Sequence, residues 1–342
     1  MYSYPYHVKN VSYRSYIAAY RNTLDFTHHL CYDIYRWEVI GMKVIDVEDL
    51  TKKYGDLTAV DHISFSADKG QLIGFLGVNG AGKSTTINMM STLLTPTSGK
   101  IAVCGHDTQK ESKTVREKIG IVYQNNVLDD LMTVQENLMT GGVIHGMQKR
   151  EASEKLSELS SIFSIGELLK KKYRTLSGGQ KRRCEIAAAL MHTPELLILD
   201  EPTTGLDPAA RQEVWEMITD LQSKAGMTVF LTTHYMEEAA KADHVIIINK
   251  GNIIAEGLPH ELKERYTSDK LKLYCDNKQK KALAKMLEDQ DISQENYGIC
   301  VKVHSTKEVM PILARIGTGY DSFEVIQGTL DDVFLDITRE AE

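Results

Sequence analysis

The 342-residue chain predicts an α/β fold: a mostly parallel sheet with helices, an antiparallel β layer, a helical insertion and a small C-terminal α/β appendage. Three stretches carry the prediction. Leu72-Ile73-Gly74-Phe75-Leu76, Glu195-Leu196-Leu197-Ile198-Leu199-Asp200 and Thr228-Val229-Phe230-Leu231-Thr232-Thr233 are short, nearly continuous apolar runs, the pattern of parallel strands buried on both faces. Each ends in glycine, acid or histidine, and the carboxyl ends of such strands are where ligands bind in open α/β sheets.

The first of these strands leads into Gly77-Val78-Asn79-Gly80-Ala81-Gly82-Lys83-Ser84 and then Thr85-Thr86-Ile87. This is a G-x-x-x-x-G-K-[ST] phosphate loop between a strand and a helix, so the core is that of a phosphate-loop NTPase. The glycines at 77, 80 and 82 let the backbone take conformations closed to other residues, so that successive N–H groups converge on phosphate oxygens. Lys83 adds a point charge for the outer phosphates, and Ser84, with Thr85 behind it, a hydroxyl for Mg²⁺. The helix that starts here points its positive end at the same anion.

Composition bounds the rest. At about 150 residues per domain the length suggests two domains, one of them large. With 42% hydrophobic and 25% charged residues, the chain has an ordinary globular composition. A net charge of -7 leaves no footprint for a nucleic-acid partner. No apolar run approaches about 18 residues, so the chain does not span a membrane by itself, and no secretory signal is visible. The five cysteines, at 31, 104, 184, 275 and 300, lack C-x-x-C spacing and read as reduced thiols in a cytoplasmic protein.

Taken in order, residues 1–41 hold eight of the sixteen tyrosines and read as an appended, poorly ordered extension, with Met42 as a candidate alternative start. Tyr13, Tyr16, Ile17, Tyr20 and Leu24 fall at helical spacing, so a short amphipathic helix is the alternative. Residues 42–265 form the nucleotide-binding domain. It opens with short strands around Val44 and Ala59 that make a small antiparallel layer before the loop. Tyr54, at a strand end there, is placed to stack on an adenine ring; a plain turn tyrosine is the other reading. Lys100-Ile101-Ala102-Val103 restores a strand, and Ile119-Gly120-Ile121-Val122-Tyr123 is a buried one ending at Gln124. Gln124 would face the crevice as a ligand to Mg²⁺ or water, unless it is simply solvated.

Residues 125–175 carry helical periodicity and read as an all-helical insertion. Leu176-Ser177-Gly178-Gly179-Gln180 then opens a further helix, with Ser177 suited to cap it and Gly178 and Gly179 leaving N–H groups accessible. That is a second anion site, and one nucleotide does not need two, so this one serves the nucleotide of a second copy. Of the two acids closing the next strand, Asp200 would orient the Mg²⁺ shell and Glu201 would accept the proton of an attacking water. His234, at the end of the following strand, would hold the terminal phosphate and the water. Residues 266–342 alternate strand and helix as a small α/β domain without a catalytic cluster.

Together these residues resemble the ATP-binding subunits of ABC transporters, from about Lys43 to Gly257, in six elements taken in order: Tyr54, the phosphate loop, Gln124, Leu176-Ser177-Gly178-Gly179-Gln180, Asp200-Glu201 and His234. The resemblance implies ATP and Mg²⁺ as cofactors, with Tyr54 stacking on adenine. It makes Gln124 a lid residue sensing Mg²⁺ and a transmembrane partner, Glu201 the general base, His234 the γ-phosphate switch, and Asp207 part of a loop speaking across the dimer. Cassettes of this family close head to tail, Ser177, Gly178 and Gly179 of one copy capping the ATP held by Lys83 of the other. Lys181-Arg182-Arg183, Arg211, Trp215 and the ending Thr329-Leu330-Asp331-Asp332-Val333-Phe334-Leu335 look like the exporter ATPases of ABC-2-type permeases, which more often have Glu at the position of Asp331.

The resemblance therefore implies an ATPase subunit at the cytoplasmic face of the cell membrane. It would act as a homodimer or heterodimer of ATPase chains and drive a permease on a separate chain, with no nucleic acid involved. A soluble ABC ATPase acting on ribosomes or DNA, and a nucleotide-binding regulator without turnover, are the rival readings.

Overall fold

A computed structural model describes residues 43–340. Residues 1–41 and Met42, expected to be an extension and an alternative start, lie outside the described residues. The chain opens with β1 (Lys43–Tyr54) and β2 (Leu57–Asp68), then passes through β3 (Leu72–Leu76) into α1 (Lys83–Met90). β4 (Ser98–Val103), β5 (His106–Asp107), α2 (Ser112–Lys118) and β6 (Ile119–Val122) follow. Next come the helices α3 (Val134–Ile144), α4 (Lys149–Ile162) and α5 (Gly178–Ala189). β7 (Leu196–Asp200), α6 (Pro208–Ala225), β8 (Thr228–Thr233), α7 (Met236–Ala239), β9 (His244–Asn249), β10 (Asn252–Gly257) and α8 (Pro259–Tyr266) continue the chain.

The central sheet runs β10-β9-β3-β8-β7-β6, with β9, β3, β8, β7 and β6 parallel and the β9–β10 hairpin antiparallel at one edge. Its parallel strands are buried on both faces, which explains their continuous apolar runs. Leu197, Leu199, Val229 and Leu231 join Val214, Trp215 and Ile218 of α6 in one core. Their neighbours Leu196, Ile198 and Phe230 face the other way, into a second core with Phe65, Phe75, Ile87 and Met90. There the rings of Phe65, Phe75 and Phe230 lie with centroids 5.4–6.1 Å apart.

The antiparallel layer closes that second core and runs β2-β1-β4-β5. Its leading strands are not the short pieces expected. β1 and β2 are each 12 residues long, because bulges at several points in their ladder let polar stretches such as Glu48-Asp49 stay inside a strand. On the far side of the central sheet, α3 starts at a capping box. Thr133 accepts from the Glu136 N–H while the Glu136 carboxylate accepts from the Thr133 N–H, satisfying two otherwise unpaired donors.

The last part of the chain comprises β11 (Asp269–Tyr274), α9 (Asn277–Met286), β12 (Asp291–Glu295), β13 (Gly298–Val303), α10 (Val309–Ile316), β14 (Ser322–Ile326) and α11 (Leu330–Glu340). Its sheet order, β12-β13-β11-β14 with antiparallel neighbours, is that of a split βαβ unit. α9 and α10 pack Leu283, Leu287, Ile312 and Ile316 onto Leu271, Leu273, Ile299 and Val301. α11 does not share this core. Its Leu330, Val333 and Ile337 pack with Leu262 and Ala239 in the cluster that also holds Trp215.

One histidine ties this scaffold together away from the strand ends. His192, just after α5, donates from Nε2 to the Ile119 carbonyl at 3.0 Å and stacks on His145 with ring centroids 3.8 Å apart. Its buried Nδ1 has no partner among the described residues. Burial first, and the His145 ring second, push its pKa down to about 4. The unfolded chain, with an ordinary imidazole near 6.5, then binds more protons than the folded one between those values, so stability rises with pH there. Urea unfolding at pH 7 and pH 5 should show lower stability at pH 5 for the parent and a smaller difference for His192→Gln; equal differences would contradict the assignment.

Candidate active site

Four strand ends, those of β3, β6, β7 and β8, meet at the site. β3 delivers the phosphate loop, whose first N–H, from Gly77, donates to the Thr233 carbonyl at the end of β8 at 3.3 Å. Two of its three glycines have the backbone expected of them: φ is +81° at Gly80 and +111° at Gly82. Gly77 is glycine for a different reason. A Cβ there would stand 2.4 Å from the Ile248 carbonyl oxygen of β9, so the close approach of loop to strand excludes any side chain. Val78, Asn79 and Gly80 are exposed, while Ala81, Gly82 and Lys83 are buried. Gly82 caps α1 in the left-handed conformation, and Ser84 stands exposed at its first turn beside half-buried Thr85.

Lys83, 5% exposed, folds back over the loop. Its ammonium donates to the carbonyls of Gly77 at 2.7 Å and Val78 at 3.2 Å and lies 3.3 Å from Glu201 Oε1. β7 brings the two acids. Asp200 accepts from the Thr232 hydroxyl of β8 through Oδ1 at 2.6 Å. Glu201, the next residue, turns out of the strand with φ +48°, a left-handed conformation that costs a non-glycine residue about 1–3 kcal/mol. Its own N–H is held by Thr232 Oγ1 at 3.0 Å.

That turn aims the Glu201 carboxylate at a ring of donors. Oε2 accepts from the Gln124 amide at 3.1 Å, from the Thr204 hydroxyl at 3.0 Å and from His234 Nδ1 at 3.1 Å. Burial acts to raise the pKa of this carboxyl, but Lys83, Thr204 and His234 together hold it below the usual carboxylate range. The group is therefore ionised at neutral pH, as a proton acceptor must be. The structure thus brings Lys83, Gln124, Glu201 and His234 into one bonded cluster, with Asp200 beside it. Ser84, Gln124 and Asp200 offer oxygen donors rather than an all-protein cage, which fits Mg²⁺, an ion that keeps waters and phosphate oxygens in its shell.

The remaining residues singled out in the sequence make other contacts. Ser177 caps α5 in a box with Gln180, its hydroxyl accepting from the Gln180 N–H at 3.3 Å and its N–H donating to Gln180 Oε1 at 3.1 Å. Ser177 and Gly178 are exposed, while Gly179 is packed so closely on Ala210 that a Cβ would meet the Ala210 methyl at 2.9 Å. Asp207 caps α6, accepting from the N–H groups of Ala209 and Ala210 at 3.1 and 3.0 Å. Tyr54 ends β1 half-exposed, with Lys52 Nζ 5.3 Å from its ring centre.

The chain is similar to known proteins in both sequence and fold. The sequence pattern described as "ABC transporter" matches residues 60–204. The daunorubicin/doxorubicin resistance ATP-binding protein DrrA of Streptomyces peucetius is 38% identical over 306 residues, covering 86% of this chain and 92% of that one. The chain belongs to the ATP-binding subunits of ABC transporters. Among solved structures, cbiO1 of Clostridium perfringens, part of the transporter complex cbiONQ, matches with TM-score 0.60 and 32% identity over 65% of this chain and 90% of that one. The cassette MJ0796, solved as a dimer in a post-hydrolysis state with ADP and phosphate, matches with TM-score 0.58 and 26% identity over 63% of this chain and 98% of that one. The subunit is an α/β ATPase of the cassette type, which binds and hydrolyses ATP.

The cassette also relies on residues that the sequence did not single out. Glu238 of α7, 3% exposed, accepts hydroxyl bonds from Thr203, after β7, and from Thr233, at the end of β8, and so braces the two loops that carry Glu201 and His234. Tyr235 stacks on His234 with ring centroids 4.1 Å apart and receives the Arg211 guanidinium at 4.3 Å on its ring. Thr203 and Thr233 do flank acidic and histidine strand ends, but nothing in the linear pattern marks a buried glutamate on a helix as their common acceptor. The loop geometry sets a test. Gly77→Ala should destabilise the cassette by about 1–3 kcal/mol as an overpacked site and abolish ATP binding, measured by denaturant unfolding and nucleotide titration. Parent-like values would show that the approach to Ile248 is not tight.

Proposed function

We propose that two copies of the cassette, or this chain and a close relative, clasp two ATP molecules head to tail and hydrolyse them to move a permease carried on a separate chain. The single observation that carries this reading is the split of the anion-binding parts. Lys83 and Glu201 sit together in one cluster, while the Ser177–Gly178 tip is exposed and, among the described residues, bonded only within its own helix start. A tip of this kind, with its N–H groups at a helix N-terminus, is available to cap a phosphate held elsewhere.

Arrival of the β- and γ-phosphates at the loop would draw Lys83 off Glu201 and the loop carbonyls, since a phosphate oxygen is the stronger partner for an ammonium. The freed carboxylate then accepts a proton from the attacking water, oriented by Gln124 and His234. The displacement at phosphorus is in line, and the protein contributes mainly position and charge. Mg²⁺, held by Ser84 and Asp200 with Gln124 nearby, would supply charge neutralisation at the phosphates. Tyr54 would stack on adenine, and Asp207 would meet the partner copy near its own nucleotide. No helix among the described residues is long and apolar enough to cross a membrane, so the cassette would sit at the inner face of the cell membrane through its permease. The relation to a drug-resistance ATPase favours export.

Glu201→Gln removes the proton acceptor and keeps the shape. Turnover should fall by a factor of about 10² to 10⁴, while ATP still binds and a dimer accumulates in size-exclusion chromatography with MgATP. Parent-rate hydrolysis by that variant would sink the assignment of the base.

A further inference from the structure

The helix behind the exposed tip carries a buried ion pair that takes no direct part in the hydrolytic chemistry. Arg182, one turn into α5, is 4% exposed and Glu185 3%. The guanidinium donates from Nη1 to Glu185 Oε2 at 2.9 Å, and the other oxygen of that carboxylate accepts from the buried Tyr173 hydroxyl at 2.8 Å. The same guanidinium reaches off its helix, donating from Nη1 to the Tyr123 carbonyl at 2.8 Å and from Nη2 to the Gln124 carbonyl at 3.2 Å.

Removing two charges from water is costly, and a well-packed apolar pair often serves stability as well or better. Stability alone therefore gives no reason for this pair, whereas its geometry does. Gln124 is the residue whose side chain donates to Glu201. Arg182 thus fastens the main chain that aims Gln124 at the general base to the helix whose first turn is the exposed tip. With both oxygens of Glu185 engaged, the planar fork is held in one orientation, and two further bonds from it go to successive carbonyls.

We propose that Arg182 is a positioning residue: contact of the α5 tip with the other copy's nucleotide is carried through Arg182 to Gln124, and from there to Glu201 of its own site, so that the two sites of a dimer turn over together. The inference rests on the two-chain reading of the function and adds the residue that couples the sites. Lysine cannot replace it, because an ammonium is a point charge without the fork that spans two carbonyls and a carboxylate.

The test is steady-state ATPase of the full chain against ATP concentration, for the parent, Arg182→Lys and the double variant Arg182→Met/Glu185→Leu, together with thermal melting and ATP titration. The double variant should melt somewhat below the parent, because the buried Tyr173 hydroxyl loses its acceptor, but should still fold and bind ATP with parent affinity. Its maximal rate should fall about tenfold, in the range of allosteric couplings, and its sigmoidal rate curve should become hyperbolic. Arg182→Lys should show the same loss of rate and steepness. Parent-like rate and steepness in the double variant overturn the proposal. Should that variant fail to fold, parent-like behaviour of Arg182→Lys overturns it instead. A parent that is itself hyperbolic, or a sigmoidal parent with sigmoidal variants, defeats the coupling alone, since independent sites in a dimer also give a hyperbola; the two-chain reading falls only if MgATP fails to gather Glu201→Gln into a dimer.

Discussion

A carboxylate that stays ionised while buried, that of Glu201, governs the architecture of this cassette. Taken alone, burial would protonate Glu201 or expel it. It stays charged because the ammonium of Lys83 stands 3.3 Å away and because Gln124, Thr204 and His234 crowd its other oxygen. Those partners come from the ends of different strands. Only a parallel sheet that brings β3, β6, β7 and β8 to a common edge can assemble them, and only buried cores on both faces hold those strands in register. Opening the ion pair by removing one partner would strand the other in a low-dielectric pocket. On the proposed reading, phosphate replaces Glu201 at Lys83, so nucleotide binding and release of the base are one event.

The strained turn at Glu201 belongs to the same constraint. A glutamate continuing β7 would follow Asp200 along the sheet edge, with its side chain sent to the opposite face from the acid beside it. Turning into the left-handed region at φ +48° keeps both acids on the ligand side. The strain is offset by the bond from its N–H to Thr232, whose hydroxyl donates in turn to Asp200. One threonine therefore positions both acids.

Much of this was legible in the sequence, for reasons that also mark its limits. The α/β class followed from strands buried on both faces, because such strands need no alternation and leave unbroken apolar runs. The phosphate loop, Gln124, Asp200-Glu201 and His234 were legible because each sits where an apolar run stops. β12 was not, because Asp291-Ile292-Ser293-Gln294-Glu295 is an exposed edge strand with a single apolar residue, so neither face writes a pattern. Gly77 was assigned a backbone role when a neighbouring strand dictates it, and the distance of Ile248 from the loop is invisible in one dimension. Glu238 and the Arg182–Glu185 pair were missed for a related cause: a charged residue buried on a helix looks, in sequence, like one on its solvated face.

A cluster that can ionise and aim a base, yet leaves the Ser177–Gly178 tip facing outward, is half of a site, and the account stands on the other half coming from a second chain. The direct measurement mixes two inactive variants. Lys83→Ala lacks the ammonium at its own loop, and Ser177→Arg blocks the tip offered to a partner. In a mixed dimer one composite site holds both defects while the other joins an intact loop to an intact tip. ATP hydrolysis should therefore reappear on mixing, in proportion to the mixed dimer formed and at the lower rate of a site whose coupled neighbour is silent. A mixture as inactive as its components at every ratio would mean that each chain closes its own site.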